Sequence, residues 1–538
     1  MPIAGPVEAL LGATLLGALL VFLSPDEWAG KLAAAVSLVP VGISLWMYTA
    51  FDGVGNALMA DGDIAFESTL GWLSLGRYDL AWHVGLDGIS LPLLVLATVL
   101  TTLALVSSWT PIDKRQSQFY GLMLLMEASL IGVFTALDFL LWLVFWEAVL
   151  VPMYFLIGVW GGPRRKYAAI KFFVYTNVAT LVMFVGFMAL VFGLGDSIST
   201  FDLPAIAQAL AVDGSLGTVA GIAPDTLRVV AFALMFAGFA VKVPIFPVHT
   251  WLPDAHVEAP TPVSVMLAGV LLKMGTYALL RFNFTMLQGV AQDYAAIIVA
   301  FGVLSIIYGA MLALAQQDLK RIVAYSSISS MGYVILGLVA FTPHGFGGAT
   351  FQMVAHGLIS GLMFMTVGVI YNETHTRMVG DISGIADRMP WTVGIFVAAA
   401  FGYMGLPLMA GFAAEYLIFQ GAFASPFIPS APLVTAVGMF GIVIVAGYLL
   451  WAMQRTLFGE YSLATDYDVS RAPVHDVAPL VVLLVLVIAL GVDPGLVYQM
   501  IQEAVNPLLP PGAASLVVPY EAVTDAVGAL SQGGVAPW

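Results

Sequence analysis

No cysteine occurs in the chain, and few charges do. The first absence excludes disulfides, thiol chemistry and cysteine-ligated iron–sulfur clusters. The second excludes an ordinary soluble domain: 9% of the 538 residues are charged, against about a quarter in such a domain. Neither G-x-G-x-x-G nor G-x-x-x-x-G-K-[ST] is present, so no nucleotide fingerprint exists. Basic residues number 18 against 33 acidic ones. The acids crowd into stretches such as 52–87 and 196–225, which read as solvated loops and suit adaptation to high salt.

What fills the chain instead is apolar: 60% hydrophobic residues in recurring runs of the length a bilayer core requires. The runs are continuous rather than alternating, which predicts an all-α polytopic membrane protein and not a barrel. About fourteen spans are expected, near 5–23, 32–51, 89–109, 119–137, 139–159, 171–194, 228–248, 262–282, 293–315, 322–342, 349–371, 391–424, 431–458 and 477–498. The first lacks a basic leader region and reads as a helix, not a cleaved signal.

Lysine and arginine collect on alternate loops, in a set running from Lys31 through Lys114, Arg164, Lys320 and Arg377 to Arg471. Only Arg77, Arg228 and Arg281 fall on the other side. By the positive-inside rule both termini lie outside the cytoplasm, in the plasma membrane of a prokaryote. Lys242 and Lys273 belong to neither set, because both fall inside spans. Near a span's centre each costs about 2.5–3.5 kcal/mol to insert, which makes each a functional candidate.

Two spans carry breaks, VKVPIFP in the seventh and GLPLMAG in the twelfth. Breaks five spans apart predict two five-helix repeats of opposite orientation. The expected division is 1–118 for three leading helices, 119–282 and 293–458 for the inverted repeats, and 459–538 for a last helix with an external tail.

The other intramembrane ionisable residues are Glu147 in FWEAVLVP, Glu415 in GFAAEYLIF, His356 in MVAHGLISG and Glu127 in LLMEASL. Asp138, in ALDFLLW, sits at a span boundary and fits a cap as well as a relay. Gly357 and Gly361 beside His356 form a small-residue face that admits a close helix neighbour. Burial weakens an amine's hold on its proton and a nearby carboxylate strengthens it, so moving one relative to the other loads or releases a proton. Glu147, Lys242, Lys273, His356 and Glu415 are groups for such a relay. The stretch HTWLPDAHVEAPTPVS reads as a stiff surface loop; its His249, Asp254, His256 and Glu258 match no metal-ligand spacing.

The stretches FWEAVLVPMYFLIGVWGGPRRKYAAIKFFVYT, PTPVSVMLAGVLLKMGTYALLRF and QQDLKRIVAYSSISSMGY resemble the subunit M family, antiporter-like membrane subunits of proton-pumping NADH–quinone oxidoreductase (respiratory complex I). The resemblance is dense over spans four to thirteen. It implies the fourteen-helix antiporter-like fold, with Glu147 and Lys242 paired in a first half-channel, Lys273 at the centre and Glu415 ending a second. Glu415 favours M over the sister subunits L and N, which carry lysine there. The short tail also counts against L, whose lateral helix of roughly 110 Å needs about 70 residues. Ser330 stands where many members have histidine, and His356 matches a second family histidine.

The resemblance further implies a proton-translocating subunit of an oxidoreductase complex with no cofactor or metal of its own. FMN, iron–sulfur clusters and quinone are expected on partner chains, which include L-like and N-like neighbours and smaller membrane subunits. Nucleic acid is not an expected partner. A subunit of a multi-subunit cation/proton antiporter and a non-pumping structural subunit remain alternatives.

Overall fold

The computed structural model describes residues 5–509 except Val54, Ala60, Asp61 and Asp213. Most of the expected external tail lies outside the described residues.

Among the described residues, twelve helices are long and apolar enough to cross a membrane. Pro6–Phe22 is a shorter apolar helix, and Pro390–Tyr403 is followed by Ala410–Phe423 across a break. Two helices occupy the middle. The apolar windows of Thr261–Thr285 and Pro343–Thr374 are wholly buried, against about a third for Asp26–Thr49, Ala431–Thr456 and Val474–Val492 at the perimeter. The perimeter helices keep large apolar side chains such as Leu38, Phe440 and Val485 exposed, as a lipid-facing surface requires.

Both sequence breaks are real. Pro224–Lys242 ends at Val243, and the chain resumes as Trp251–Glu258. This second piece corrects the loop reading of HTWLPDAHVE. Pro253 falls in the first turn, where a missing N–H costs nothing, so the segment is helical.

The acidic stretch 52–87 is also more than a loop. Ala65–Leu75 and Tyr78–Leu86 pair antiparallel, with Leu75 opposite Tyr78. A backbone bond attaches the second strand to the turn before Phe139–Trp160, where Leu137 donates to His83 at 2.9 Å, and Leu203, at the start of the short helix Leu203–Ala211, donates to Leu137 at 2.7 Å. At the same end the helix Gly495–Val505 packs back onto the bundle, and Asn56 donates to Ala504 at 3.1 Å.

Two basic residues assigned to loops are buried instead. Arg281 lies in the last turns of Thr261–Thr285, 2.6 Å from Asp87 and 3.1 Å from Asn56. Lys320 lies inside Leu319–Leu338, because Asp318 caps that helix by accepting from Lys320 and Arg321.

Candidate functional site

The central helices carry the central pair. Thr261–Thr285 contains two wide π turns, Leu267–Leu271 and Leu279–Thr285, and Lys273 stands between them. Such turns are rare and gather at functional sites. The Lys273 ammonium donates to the Ala268 carbonyl and lies 2.7 Å from His356 Nδ1. Glycine makes this contact possible. A Cβ on Gly357 would stand 2.8 Å from the Gly269 carbonyl oxygen and 2.6 Å from Leu96. The two backbones therefore meet as the small-residue face predicted.

Lys242 ends the first half of its broken helix. Its ammonium is buried, lies 4.8 Å from the centre of the Trp146 ring, and has no hydrogen-bond partner among the described residues. Glu147 is its carboxylate neighbour and acts through space rather than by direct contact. Trp146 is held by Thr180, to which it donates at 3.0 Å. Glu147 itself is half-buried, between exposed Val144 and Val151 on the outer side of Phe139–Trp160. The break then leans on the central helix, where a Cβ on Gly275 would stand 2.8 Å from the Val243 nitrogen.

From His356 the polar line continues into the second half. His356 Nε2 lies 3.4 Å from the hydroxyl of Tyr403, the last residue before the second break. Tyr403 in turn is 3.5 Å from Ser327. Tyr448 donates to Ser326 at 2.6 Å. Both Tyr448 and Tyr333 lie within electrostatic reach of Glu415. Glu415 is buried, its Oε2 unpartnered among the described residues and pressed against Gly405 in the break.

The remaining candidates divide. Glu127 is fully buried with both oxygens unpartnered among the described residues. Asp138 is a cap: it accepts from Leu140 at 2.9 Å, Leu141 at 3.2 Å and Ala81 at 3.2 Å. Ser330 is buried on Leu319–Leu338. The four acids and histidines of the former loop go separate ways. Asp254 pairs with Lys171 at 2.7 Å and Arg321 at 3.1 Å, and Glu258 accepts from the Arg164 nitrogen at 2.7 Å. Among the described residues no three metal-ligand side chains converge.

His256 is the residue that sequence reasoning underrated. It is fully buried, stacks on Phe364 at 4.5 Å, and has both ring nitrogens unpartnered among the described residues. Lys320 and Lys273 are the cations that act on it. The first-turn proline and the apolar spacing of Trp251, Leu252 and Ala255 were the signals that it lies on a helix face.

A helical membrane bundle with two broken helices and a line of buried ionisable groups through its middle is a transporter-type ion-translocating subunit. Residues 136–445 match the family described as NADH:quinone oxidoreductase/Mrp antiporter, TM, and the chain belongs to that family. It is 40% identical over 495 residues to NAD(P)H-quinone oxidoreductase chain 4 1 of Picosynechococcus sp., covering 90% of this chain and 88% of that one. It is 36% identical to F(420)H(2) dehydrogenase subunit M of Methanosarcina mazei, covering 89% and 92%. A chain of respiratory complex I from Thermus thermophilus with bound NADH superposes with a TM-score of 0.80 at 26% identity, covering 94% of this chain and all of that one.

Proposed function

We infer that this chain is a proton-translocating membrane subunit of a complex I-type quinone oxidoreductase. Quinone reduction elsewhere in the complex drives its proton transfer, and the redox centres sit on partner subunits. The relatives' names carry two different donors, NAD(P)H and F420H2, which fits a subunit that does not itself meet the donor.

The observation that carries the reading is the 2.7 Å contact of Lys273 with His356, made by the two most buried helices and continued to Tyr403 at the second break. It joins one half of the bundle to the other along a protonatable line. The basic end faces the cytoplasm and both termini face out. Residues 119–282 and 293–458 act as inverted halves, each with a broken helix.

In the proposed cycle Glu147 sets the charge state of Lys242 across the Trp146 ring. Lys273 holds the proton at the centre, His356 and Tyr403 carry it on, and Glu415 releases it outward. Glu127 is a reserve carboxylate of the first half. Each proton moved against 100 mV requires about 2.3 kcal/mol from the redox reaction.

Replacing Lys242 or Glu147 by alanine abolishes pumping in an assembled complex on this reading. Wild-type protons per quinone reduced in either variant overturns it. Sodium-driven proton exchange in vesicles lacking any dehydrogenase would assign the chain to an antiporter instead.

A further inference from the structure

We propose that Lys320 is the proton-uptake residue of this subunit, taking protons from a water-filled vestibule at the basic end and delivering them through His256 to Lys273. The inference rests on the functional reading above and adds a site at its cytoplasmic side.

Lys320 is 5% exposed, an unusual place for an ammonium so near a helix start. Its Nζ donates to the carbonyl of Ala259, the residue that ends Trp251–Glu258. Among the described residues no carboxylate lies within ion-pair distance of it. Its charged neighbours are already engaged: Arg377 with Asp318 at 2.6 Å, and Glu258 with the Arg164 nitrogen. A lysine kept only to lock helices would take one of these acids as a partner, because an unpaired buried charge is the costly arrangement. Lys320 is left free to change charge.

On one side Lys320 faces an opening. A cavity of about 260 Å³ lies over it, walled by Trp160, Pro260, Thr261, Tyr371, Asn372 and Arg377. Its polar walls and volume suit several waters. His256 lies on the helix whose end Lys320 bonds, three positions before Ala259, and stacks on Phe364 of the helix that carries His356, with both ring nitrogens unpartnered among the described residues. His256 is acted on by Lys320 and Lys273, and His356 by Lys273 and His256. The bond of Lys320 to Ala259, the stack of His256 on Phe364 and the 2.7 Å contact of Lys273 with His356 tie these four groups to adjoining helices between the vestibule and the bundle centre.

The proton balance is simple. A vestibule hydronium protonates the Lys320 amine, and the ammonium protonates an imidazole nitrogen of His256. His256 then protonates the Lys273 amine, leaving Lys320 and His256 as they began.

The test uses the whole complex in inverted membrane vesicles. Lys320→Arg keeps the charge and the bond to Ala259, but a guanidinium does not release its proton. Proton uptake per quinone reduced should fall at least tenfold in that variant. Wild-type uptake overturns the proposal, because a purely structural cation would be satisfied by arginine. If Lys320→Arg does not assemble, labelling decides. The chain has no cysteine, so Thr261→Cys or Asn372→Cys gives it a unique thiol. An impermeant maleimide should label this subunit from the cytoplasmic face only, and absence of labelling at both positions overturns the vestibule. Lys242→Ala runs alongside. Loss of pumping there with normal pumping in Lys320→Arg rejects only this inference, whereas normal pumping in Lys242→Ala rejects the functional reading beneath it.

Discussion

Gly357→Ala adds a single methyl group and removes no titratable atom, yet it should uncouple the two halves of the subunit. The new Cβ would stand 2.8 Å from the Gly269 carbonyl oxygen, and relieving that contact to an ordinary separation needs about 0.6 Å of helix displacement. The neighbouring Lys273–His356 contact, at 2.7 Å, has about 0.5 Å of slack before it leaves the hydrogen-bond range. The wedge therefore consumes the whole margin. Overpacking itself costs about 1–3 kcal/mol, which a bundle of this size can absorb. The weakened hydrogen bond to a charged group is worth about 1.5–3 kcal/mol. If the proton step bears that cost, it slows roughly ten- to a hundredfold. The assay compares proton uptake with quinone reduction in vesicles, with native electrophoresis to establish assembly. Gly361→Ala is the control, since the tightest contact of its Cβ is the flexible end of Leu100 at 3.0 Å and no backbone atom is among its nearest neighbours. An assembled Gly357→Ala complex that pumps at the wild-type rate and stoichiometry would refute the argument that this contact carries the proton.

Other consequences concern the ends of the bundle. Arg281→Ala leaves Asp87 buried without its cation and should destabilise the subunit by about 3–5 kcal/mol, seen as earlier thermal dissociation of the detergent-solubilised complex. His83 links the hairpin to Asp202, and to Glu67 at 3.1 Å. Burial alone would lower its affinity for a proton, but the bond and charge of Asp202, then those of Glu67, hold it above the usual histidine value of 6.5. This attachment is thus fully present below pH 6.5 and is lost as pH rises through the raised value, so amide exchange at Leu137 and Leu203 should accelerate over that window. In His83→Gln the dependence should vanish. Asp138→Ala should weaken the start of Phe139–Ala148 by about 0.5–2 kcal/mol while leaving protons per quinone unchanged, as measured by thermal melts and vesicle pumping; loss of pumping alone would restore Asp138 as a relay.

Several features were legible in one dimension. Lys242 and Lys273 announced themselves as charges inside apolar runs, and VKVPIFP and GLPLMAG as breaks. Reading failed where a segment's polarity resembled a loop but its neighbours buried it. Trp251–Glu258 became a helix under the bundle's cover, and Arg281 found Asp87 across more than 190 positions of chain. Lys320 was misread for the same reason, although Asp318 two residues earlier is a helix cap that would have placed it inside.

The sequence by itself determined depth. A bilayer is a solvent that varies along one axis, so hydropathy, charge bias and proline say how far each residue sits from the membrane faces. Only the tertiary structure decided rotation and neighbourhood: that Thr261–Thr285 and Pro343–Thr374 take the centre, that Gly357 meets Gly269, and that His256 stacks on Phe364. Those outcomes depend on which helix faces interlock, and interlocking is settled by side-chain shape across contacts that no single span contains.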